Sequence, residues 1–518
     1  MSGHRYIAEI MGPGVALFDY DNDGDLDVYA VQGQKLSAGE APPDSYDKLF
    51  RNDLHVGANG SRTLRFTDVS AQAGLAPQSY GMGVAAADID NDGWTDLYLT
   101  RFGPDALLKN NGNGTFTDVF AHAGLSDPGW TVAASFFDMD RDGWLDLFVP
   151  SYVRYSLASD IECIAPTGVR DYCSPQSYVP LPGRLFWNSG RGIFQDVTLN
   201  SGIATEYGPA LGTITFDANR DGWPDVYVAN DGTENQLWLN RKNRSFANNA
   251  VLAGVAVSGS GKAEASMGVD AGDFDNDGDD DLVIANLTGE GSTLYENTGS
   301  GIFRDVAAAR QLRPRSLAYT GFGAAWFDAD NDGWLDLLTV NGAIETIQSL
   351  AAAGDPFPLH QRKQLFRNVA GTRFEDVTAE AGAAFAASEV GRGAAFGDID
   401  NDGDVDVVVA NNNARLRLLV NERGSRSRWL GVRVLTDRGR DALGAQVQLV
   451  LADGTMRQRR VRSDGSYASA NDPRVLFGLG DRGEPRRLRV RWPDGRVSEW
   501  PWNAVNRWVL VQDGGSPR

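Results

Sequence analysis

Short runs of small and apolar residues recur along this chain, among them GVALF, GVAAA and GAAWF, and about ten residues after each comes an alternating run such as LDVYAV, TDLYLT or PDVYVAN. Alternation with a period of two marks β-strands, so each pair predicts strand, tight loop, strand. The loop between them is a nonapeptide, D-x-[DN]-x-D-G-x-x-D, beginning at Asp19, Asp88, Asp138, Asp217, Asp273, Asp328 and Asp398. After the first six copies come two further strands joined by a Gly/Asn turn, as in LFWNSGRGIFQDV. Four short antiparallel strands recurring along a chain predict the blades of a propeller. Seven copies predict an all-β, seven-bladed β-propeller over residues 1–423, followed by a small β-sandwich-like domain over residues 424–518. A solenoid would need capping repeats, and neither end of the array looks like one.

The spacing of the copies places insertions at roughly residues 32–47, 151–183 and 342–363, of which AIETIQSLAAAG is the one segment with helical spacing. No F-x-D-V run follows the seventh copy, so the last blade is expected to lack its fourth strand. A closing strand upstream of Met1, together with a signal peptide, is the corresponding expectation.

Composition sharpens this picture where it is uneven. Gly reaches 60 residues, and Trp, Phe and Tyr 13, 23 and 15, as expected for tight turns between aromatic-rich strands. Acidic residues outnumber basic ones by 69 to 48. Residues 424–518 nevertheless carry a net charge of +8, all of the positive charge being Arg, and the remainder carries −29. The acidic excess lies in the repeated loops, which points to divalent cations and away from nucleic acid as partners. No apolar run is long enough to span a membrane. The two cysteines, Cys163 and Cys173, lie in one short segment without further metal-ligand residues, so a local disulfide in an exported protein is the expected reading and two free thiols the alternative.

In the first loop Asp19, Asp21 and Asp23 place carboxylates on every second residue, Gly24 permits the turn, Asp25 offers its backbone carbonyl and Asp27 closes the shell. All-oxygen ligands select hard cations, and a flexible loop of several carboxylates favours Ca²⁺ over Mg²⁺. The same roles fall to Asp88, Asp90, Asp92, Trp94 and Asp96; to Asp138, Asp140, Asp142, Trp144 and Asp146; and to Asp217, Asn219, Asp221, Trp223 and Asp225. They fall also to Asp273, Asp275, Asp277, Asp279 and Asp281; to Asp328, Asp330, Asp332, Trp334 and Asp336; and to Asp398, Asp400, Asp402, Asp404 and Asp406. One such loop could be an Asx-rich surface turn. Seven in register predict about seven Ca²⁺ sites.

These blades resemble the FG-GAP or VCBS repeats of integrin α-subunit propellers over about residues 10–423. With LGAQVQLVLADG, GSYASANDPRVLFGLG and RVRWPDGRVSEW, from about Leu443 to Trp500, the chain is similar to the cartilage acidic protein family, which joins such a propeller to an ASPIC/UnbV-type domain. The resemblance implies an exported protein, secreted, periplasmic or at the outer surface, with a role in adhesion or extracellular binding to a protein or glycan.

No catalytic group stands out. His4, His55, His122 and His360 are scattered, no H-E-x-x-H or G-x-S-x-G occurs, and the loops account for 27 of the acids. A non-catalytic, monomeric, calcium-stabilised binding module is the leading expectation, and a calcium-dependent polysaccharide lyase the alternative. In the C-terminal part, RQRRVR and RRLRVRW alternate Arg with apolar residues, which predicts strands with one basic face, either solvated or set against an anionic surface.

Overall fold

The computed structural model describes residues 4–518 except 35, 37–45, 76–79, 127–128, 165–167 and 169. Each nonapeptide connects the first two strands of one antiparallel sheet, as its flanking patterns require. In the first sheet the strands run Val15–Phe18, Asp27–Ala30, Lys48–Asn52 and Phe66–Asp68, each paired with the next. Five more sheets repeat this four-strand order, and a seventh has three strands, Gly391–Gly397, Asp406–Asn411 and Arg417–Leu419. The first strands of successive sheets touch in sequence order, and the strand at Gly391–Gly397 touches that at Val15–Phe18. The sheets are therefore the blades of a closed ring. We number them 1 to 7 along the chain.

Apolar side chains of adjacent blades interdigitate to form the cores. Phe137, Phe148 and Leu185 of blade 3, for example, pack with Val226, Val228, Trp238 and Phe246 of blade 4. The first strands, next to the axis, are buried along their whole length in blades 1, 3, 4, 6 and 7.

Residues beyond 424 fold as two facing sheets. Arg428–Leu435 pairs antiparallel with Val475–Gly480 and parallel with Trp508–Gln512. Gln446–Leu451 lies between Met456–Arg460 and Pro485–Arg491, and the latter pairs with Val497–Pro501. Leu430, Val432, Leu449, Phe477, Leu488 and Val511 fill the space between the sheets. That core continues into Ala85, Ala87, Phe136 and Leu145 of blades 2 and 3, so the sandwich is seated on the ring.

The loop from Val461 to Arg474 leaves the sandwich and enters the axis of the propeller. Thr215 of blade 4 donates its N–H to Asp464 Oδ2 at 2.8 Å, Val269 of blade 5 to Ser466 O at 3.0 Å and Val84 of blade 2 to Ala468 O at 3.0 Å. Ala470 exchanges bonds with Val15 and Leu17 of blade 1, and Asp472 donates to Phe396 O of blade 7. Gly14 and Gly83 are required here, since a Cβ on either would lie 1.8 and 2.8 Å from Ala468 O. Tyr467 is wholly buried, edge-on to Phe322 with centroids 4.9 Å apart, and its hydroxyl donates to Met11 O at 2.7 Å. Met11 belongs to a buried N-terminal segment, Ile7–Met11, packed beside Trp130, Tyr152 and Leu211. The axis is thus filled by a loop of the sandwich meeting the N-terminal segment inside the ring.

Two sequence expectations need correction. AIETIQSLAAAG forms a helix only over Gln348–Ala352, and it is not alone, because short helices also follow the fourth strands at Thr198–Ser201 and Ala250–Ala253. Gly202 and Gly254, both at positive φ, terminate those two after a single turn. Most of the blade 1 insertion, residues 37–45, lies outside the described residues. In the blade 3 insertion, Cys163 and Cys173 form a disulfide across a small hairpin, Cys163–Ile164 with Arg170–Asp171. The closed loop is short, so replacing both cysteines by Ser is expected to cost about 2 to 3 kcal/mol at most. Limited proteolysis should show the new cleavage confined to residues 151–183; cuts distributed over the blades would contradict this local role.

Candidate metal centres and the domain interface

Each nonapeptide folds by hydrogen-bonding its own carboxylates to its own backbone. In the first loop Asp19 accepts N–H groups from Asp23 and Gly24, both at 3.1 Å, and Asp23 accepts that of Asp25 at 2.9 Å. Asp27 accepts from Tyr20 at 2.9 Å through one oxygen and from Asn52 at 2.8 Å through the other. Gly24 has φ +95°, which a side chain would strain. Equivalent bonds hold Asp88 and Asp96, Asp138 and Asp146, Asp273 and Asp281, Asp328 and Asp336, and Asp398 and Asp406. In the fourth loop the Asn219 side-chain oxygen takes one of these bonds, from Asp221 N at 3.0 Å, while Asp225 keeps both of its own.

This folding brings carboxylate oxygens to one centre. Oxygens of Asp19, Asp21 and Asp27 lie within 4.8 Å of one another, as do those of Asp88, Asp90 and Asp96, of Asp138, Asp140 and Asp146, of Asp273, Asp275 and Asp281, and of Asp328, Asp330 and Asp332. One oxygen each of Asp21, Asp90, Asp140 and Asp330 is buried with no hydrogen-bond partner. Burial, joined to a lesser degree by neighbouring carboxylates, pushes the carboxyls of Asp27 and Asp273 up to about 8. Asp138, Asp328 and Asp398 are likewise pushed to about 7, mainly by burial. Carboxylates this crowded and this dry demand a cation or protons. The donor set, all oxygen and with several of those oxygens buried and unpartnered, fits a hard cation.

Position seven divides as its chemistry requires. Trp94, Trp144, Trp223 and Trp334 are half-buried, with the Arg438 guanidinium 4.7 Å from the Trp144 ring and Arg141 4.2 Å from that of Trp223. Asp279 and Asp404 are pushed to about 7 and 8 by burial and by their neighbours Asp277 and Asp402, whereas Asp25 accepts a 2.8 Å bond from Asn401. The second loop has a cation of its own, since Lys109 Nζ contacts Asp90 and lies 3.0 Å from Asp92.

A set of asparagines absent from the sequence reading ties the loops together. Asn52, which supplies the N–H to Asp27, also donates through its side chain to Ile399 O of the blade 7 loop at 2.9 Å. Asn110 does the same to Tyr20 O, Asn188 to Ile89 O, Asn240 to Met139 O, Asn297 to Ala218 O, Asn368 to Phe274 O and Asn421 to Ala329 O. Each blade is latched to the loop of the blade before it, around the whole ring. The signal was present in the sequence, because LFRN, LLKN, LFWN, LWLN, LYEN, LFRN and LLVN all end in Asn.

The basic strands of the sandwich lie against these loops. Arg433 is 3.7 Å from Asp19, Arg491 is 3.9 Å from Asp217 and Arg460 is 3.8 Å from Asp280. Arg440 bonds Asn91 Oδ1 at 2.8 Å and Gly143 O at 3.3 Å; Arg457 bonds Asp332 O at 3.2 Å, and Arg474 bonds Asp398 O at 2.9 Å. Arg459 lies between the fifth and sixth loops, where burial lowers its pKa and the nearby Asp328 and Asp273 offset that only in part. The solvated alternative fits only part of this face, since Arg487 is exposed and pairs with Glu499 at 3.0 Å. Of the histidines, His360 bonds Ser388 O through Nδ1 at 2.9 Å, His4 stacks on Tyr6, and His55 and His122 are exposed. Among the described residues no helix is long and apolar enough to cross a membrane.

Comparison with known proteins agrees with this geometry. The FG-GAP-like repeat family matches residues 19–99, 88–149, 217–284 and 273–339, and the ASPIC and UnbV family matches residues 436–518. Cartilage acidic protein 1 of Mus musculus is 25% identical over 496 residues, which cover 93% of this chain and 62% of that protein. The Homo sapiens protein of the same name is 24% identical over 505 residues, covering 93% and 69%. Among solved structures, the BP39L lectin of Burkholderia pseudomallei is similar with a TM-score of 0.47 and 10% identity, over 80% of this chain and 97% of that one. With the repeat family matched over residues 19–149 and 217–339 and the second family over the sandwich, the chain belongs among the proteins that join FG-GAP-like repeats to an ASPIC and UnbV domain.

Proposed function

We propose that this chain is a non-catalytic extracellular binding module whose propeller is organised by about seven Ca²⁺ ions. The observation that carries the calcium reading is the set of buried, partnerless oxygens on Asp21, Asp90, Asp140 and Asp330, each within a cluster of acidic side chains. Asp, Asn and backbone oxygens without His or Cys favour Ca²⁺ among biological cations. The disulfide supports an oxidising compartment, and the similarity to cartilage acidic protein 1 supports an extracellular setting. Binding over catalysis is favoured because the axis, where a propeller offers its deepest cavity, is filled by residues 462–472 and Ile7–Met11. The partner would be a protein or glycan met on the outer surfaces.

Equilibrium dialysis after exhaustive chelation tests this directly. About seven Ca²⁺ per chain are expected, with Mg²⁺ failing to displace them at equal concentration. A stoichiometry of one or none would overturn the reading.

The second loop gives a finer test. The Lys109 ammonium contacts two of its carboxylates and must withdraw before a cation takes up the full ligand set. Lys109→Ala is expected to raise the calcium affinity of that loop about tenfold, equivalent to about 1.4 kcal/mol. Terbium luminescence sensitised by the nearby Trp94 would read this site, and an unchanged or weaker affinity would show that the lysine does not compete.

A further inference from the structure

A cavity of about 120 Å³ lies between the sandwich and blades 5 to 7. Ala325, Phe327, Phe396 and Leu476 make part of its wall apolar. Its polar wall is one-sided. Among the described residues that line it, the buried side-chain atoms without a hydrogen-bond partner are Trp326 Nε1, Arg459 Nε and Nη2, and Arg460 Nε and Nη2. Every one of these atoms is a donor.

All three side chains are held in place by other contacts. Trp326, 5% exposed, stacks on Phe274 with ring centroids 5.9 Å apart and planes 17° apart. Gly272 lies against its edge, where a Cβ would stand 3.1 Å from Trp326 Cδ1. The strand Met456–Arg460 brings both arginines to the cavity. Arg459 bonds Gln458 O through Nη1 at 2.7 Å, which leaves its other nitrogens unused. Arg460, its side chain 6% exposed, is 3.8 Å from Asp280, too far for a hydrogen bond.

The remaining charged groups of the wall are engaged elsewhere. Asp472 accepts from Arg474 Nε at 3.0 and 2.9 Å, and Arg462 bonds Asp270 at 2.7 Å. Asp273, Asp328 and Asp398 accept backbone N–H groups of their own loops.

Buried donors without acceptors are costly, so the cavity calls for a guest that accepts. Water fits by size, but each molecule brings two hydrogens that need acceptors of their own. An anion only accepts. Asp273, Asp280 and Asp328 share the wall and would repel a dianion such as sulfate more than a monovalent ion. A spherical ion also imposes no direction on its donors, which suits an indole beside two guanidinium groups.

We propose that this cavity binds one chloride ion, held by Trp326 Nε1 and the guanidinium groups of Arg459 and Arg460. The ion joins blade 6, which supplies Trp326, to the sandwich, and so strengthens their docking. The site is separate from the calcium reading, since none of its three donor side chains is a loop carboxylate.

The probe is chloride itself, titrated into the full-length protein against sodium gluconate at constant ionic strength, with calcium gluconate present. A saturable rise in melting temperature is expected, reproduced by bromide. Trp326→Phe keeps an aromatic ring over Phe274 but removes the N–H, and should weaken the apparent affinity about tenfold, as for one hydrogen bond to a charged acceptor. Arg459→Gln should abolish the chloride effect. Should that variant fail to fold, crystals grown in bromide decide, with an anomalous peak expected beside Trp326 Nε1. A melting temperature indifferent to chloride, an unchanged affinity in Trp326→Phe, or a cavity holding water alone in bromide would each overturn the proposal.

Discussion

Chelation of the cation-loaded protein is expected to lower its melting temperature by tens of degrees and to broaden or split the transition. Ions that bind only the folded state stabilise it by mass action, and seven sites each filled at ten times their dissociation constant would together contribute roughly 10 kcal/mol. That is comparable with the whole stability of an ordinary domain. The effect should be collective, because the loops are latched in a ring: Asn52 of blade 1 holds Ile399 of blade 7, and the latches continue through Asn421. Emptying one loop leaves buried carboxylates such as Asp27 and Asp281 uncompensated beside a latch shared with the next blade. Calorimetry with and without EDTA, with metal removal verified by elemental analysis, measures the shift. A melting temperature that stays put after verified removal would end the calcium reading.

The second large effect is expected from Tyr467→Ala, at about 3 to 5 kcal/mol of lost stability, the range for deleting a fully buried aromatic ring. The site has little freedom to collapse, since the ring is held between Phe322 and the backbone at Met11, and Gly14 and Gly83 already press on Ala468 beside it. Tyr467→Phe should cost only about 1 kcal/mol, the net worth of one hydrogen bond, though its abandoned Met11 carbonyl raises the cost slightly. The loop is pinned in addition by the Arg462–Asp270 pair at 2.7 Å, whose acid is fully buried. Chemical denaturation of the three proteins would order them, and an alanine variant as stable as the phenylalanine one would show the axis to be loosely packed.

The parts of this molecule that were legible in its sequence are those fixed by local spacing. Nine residues with carboxylates at positions one, three, five and nine leave few ways to fold between two strands, and the loops at Asp19 and Asp273 adopt the bonding that spacing implies. The asparagine latches were equally local in sequence but unread, because one Asn at a strand end looks like ordinary turn punctuation until its bond to a different blade is seen. The axial loop was illegible for a different reason. GSYASAN has neither helical nor strand periodicity, and only the ring around it supplies the partners for its backbone. The Arg strands were intermediate: alternation gave a basic face, but whether Arg457 meets water or Asp332 depends on how two domains dock.

Filling the axis with a loop of the sandwich also constrains the order in which the molecule can be made. Blades 1 to 7 leave the ribosome before residues 462–472 exist, so the ring cannot reach its final packing during its own synthesis. The first strands must wait with unpaired backbone at Val15, Val84, Thr215 and Val269 until the last fifth of the chain arrives. Contacts between residues more than 450 positions apart, such as Tyr467 with Met11, therefore close last, and long-range closure of this kind makes folding slow and leaves intermediates exposed. A nascent chain stalled before the sandwich would hold an open, acidic, sticky ring, which makes the C-terminal domain the keystone of assembly as well as a covering for the loops.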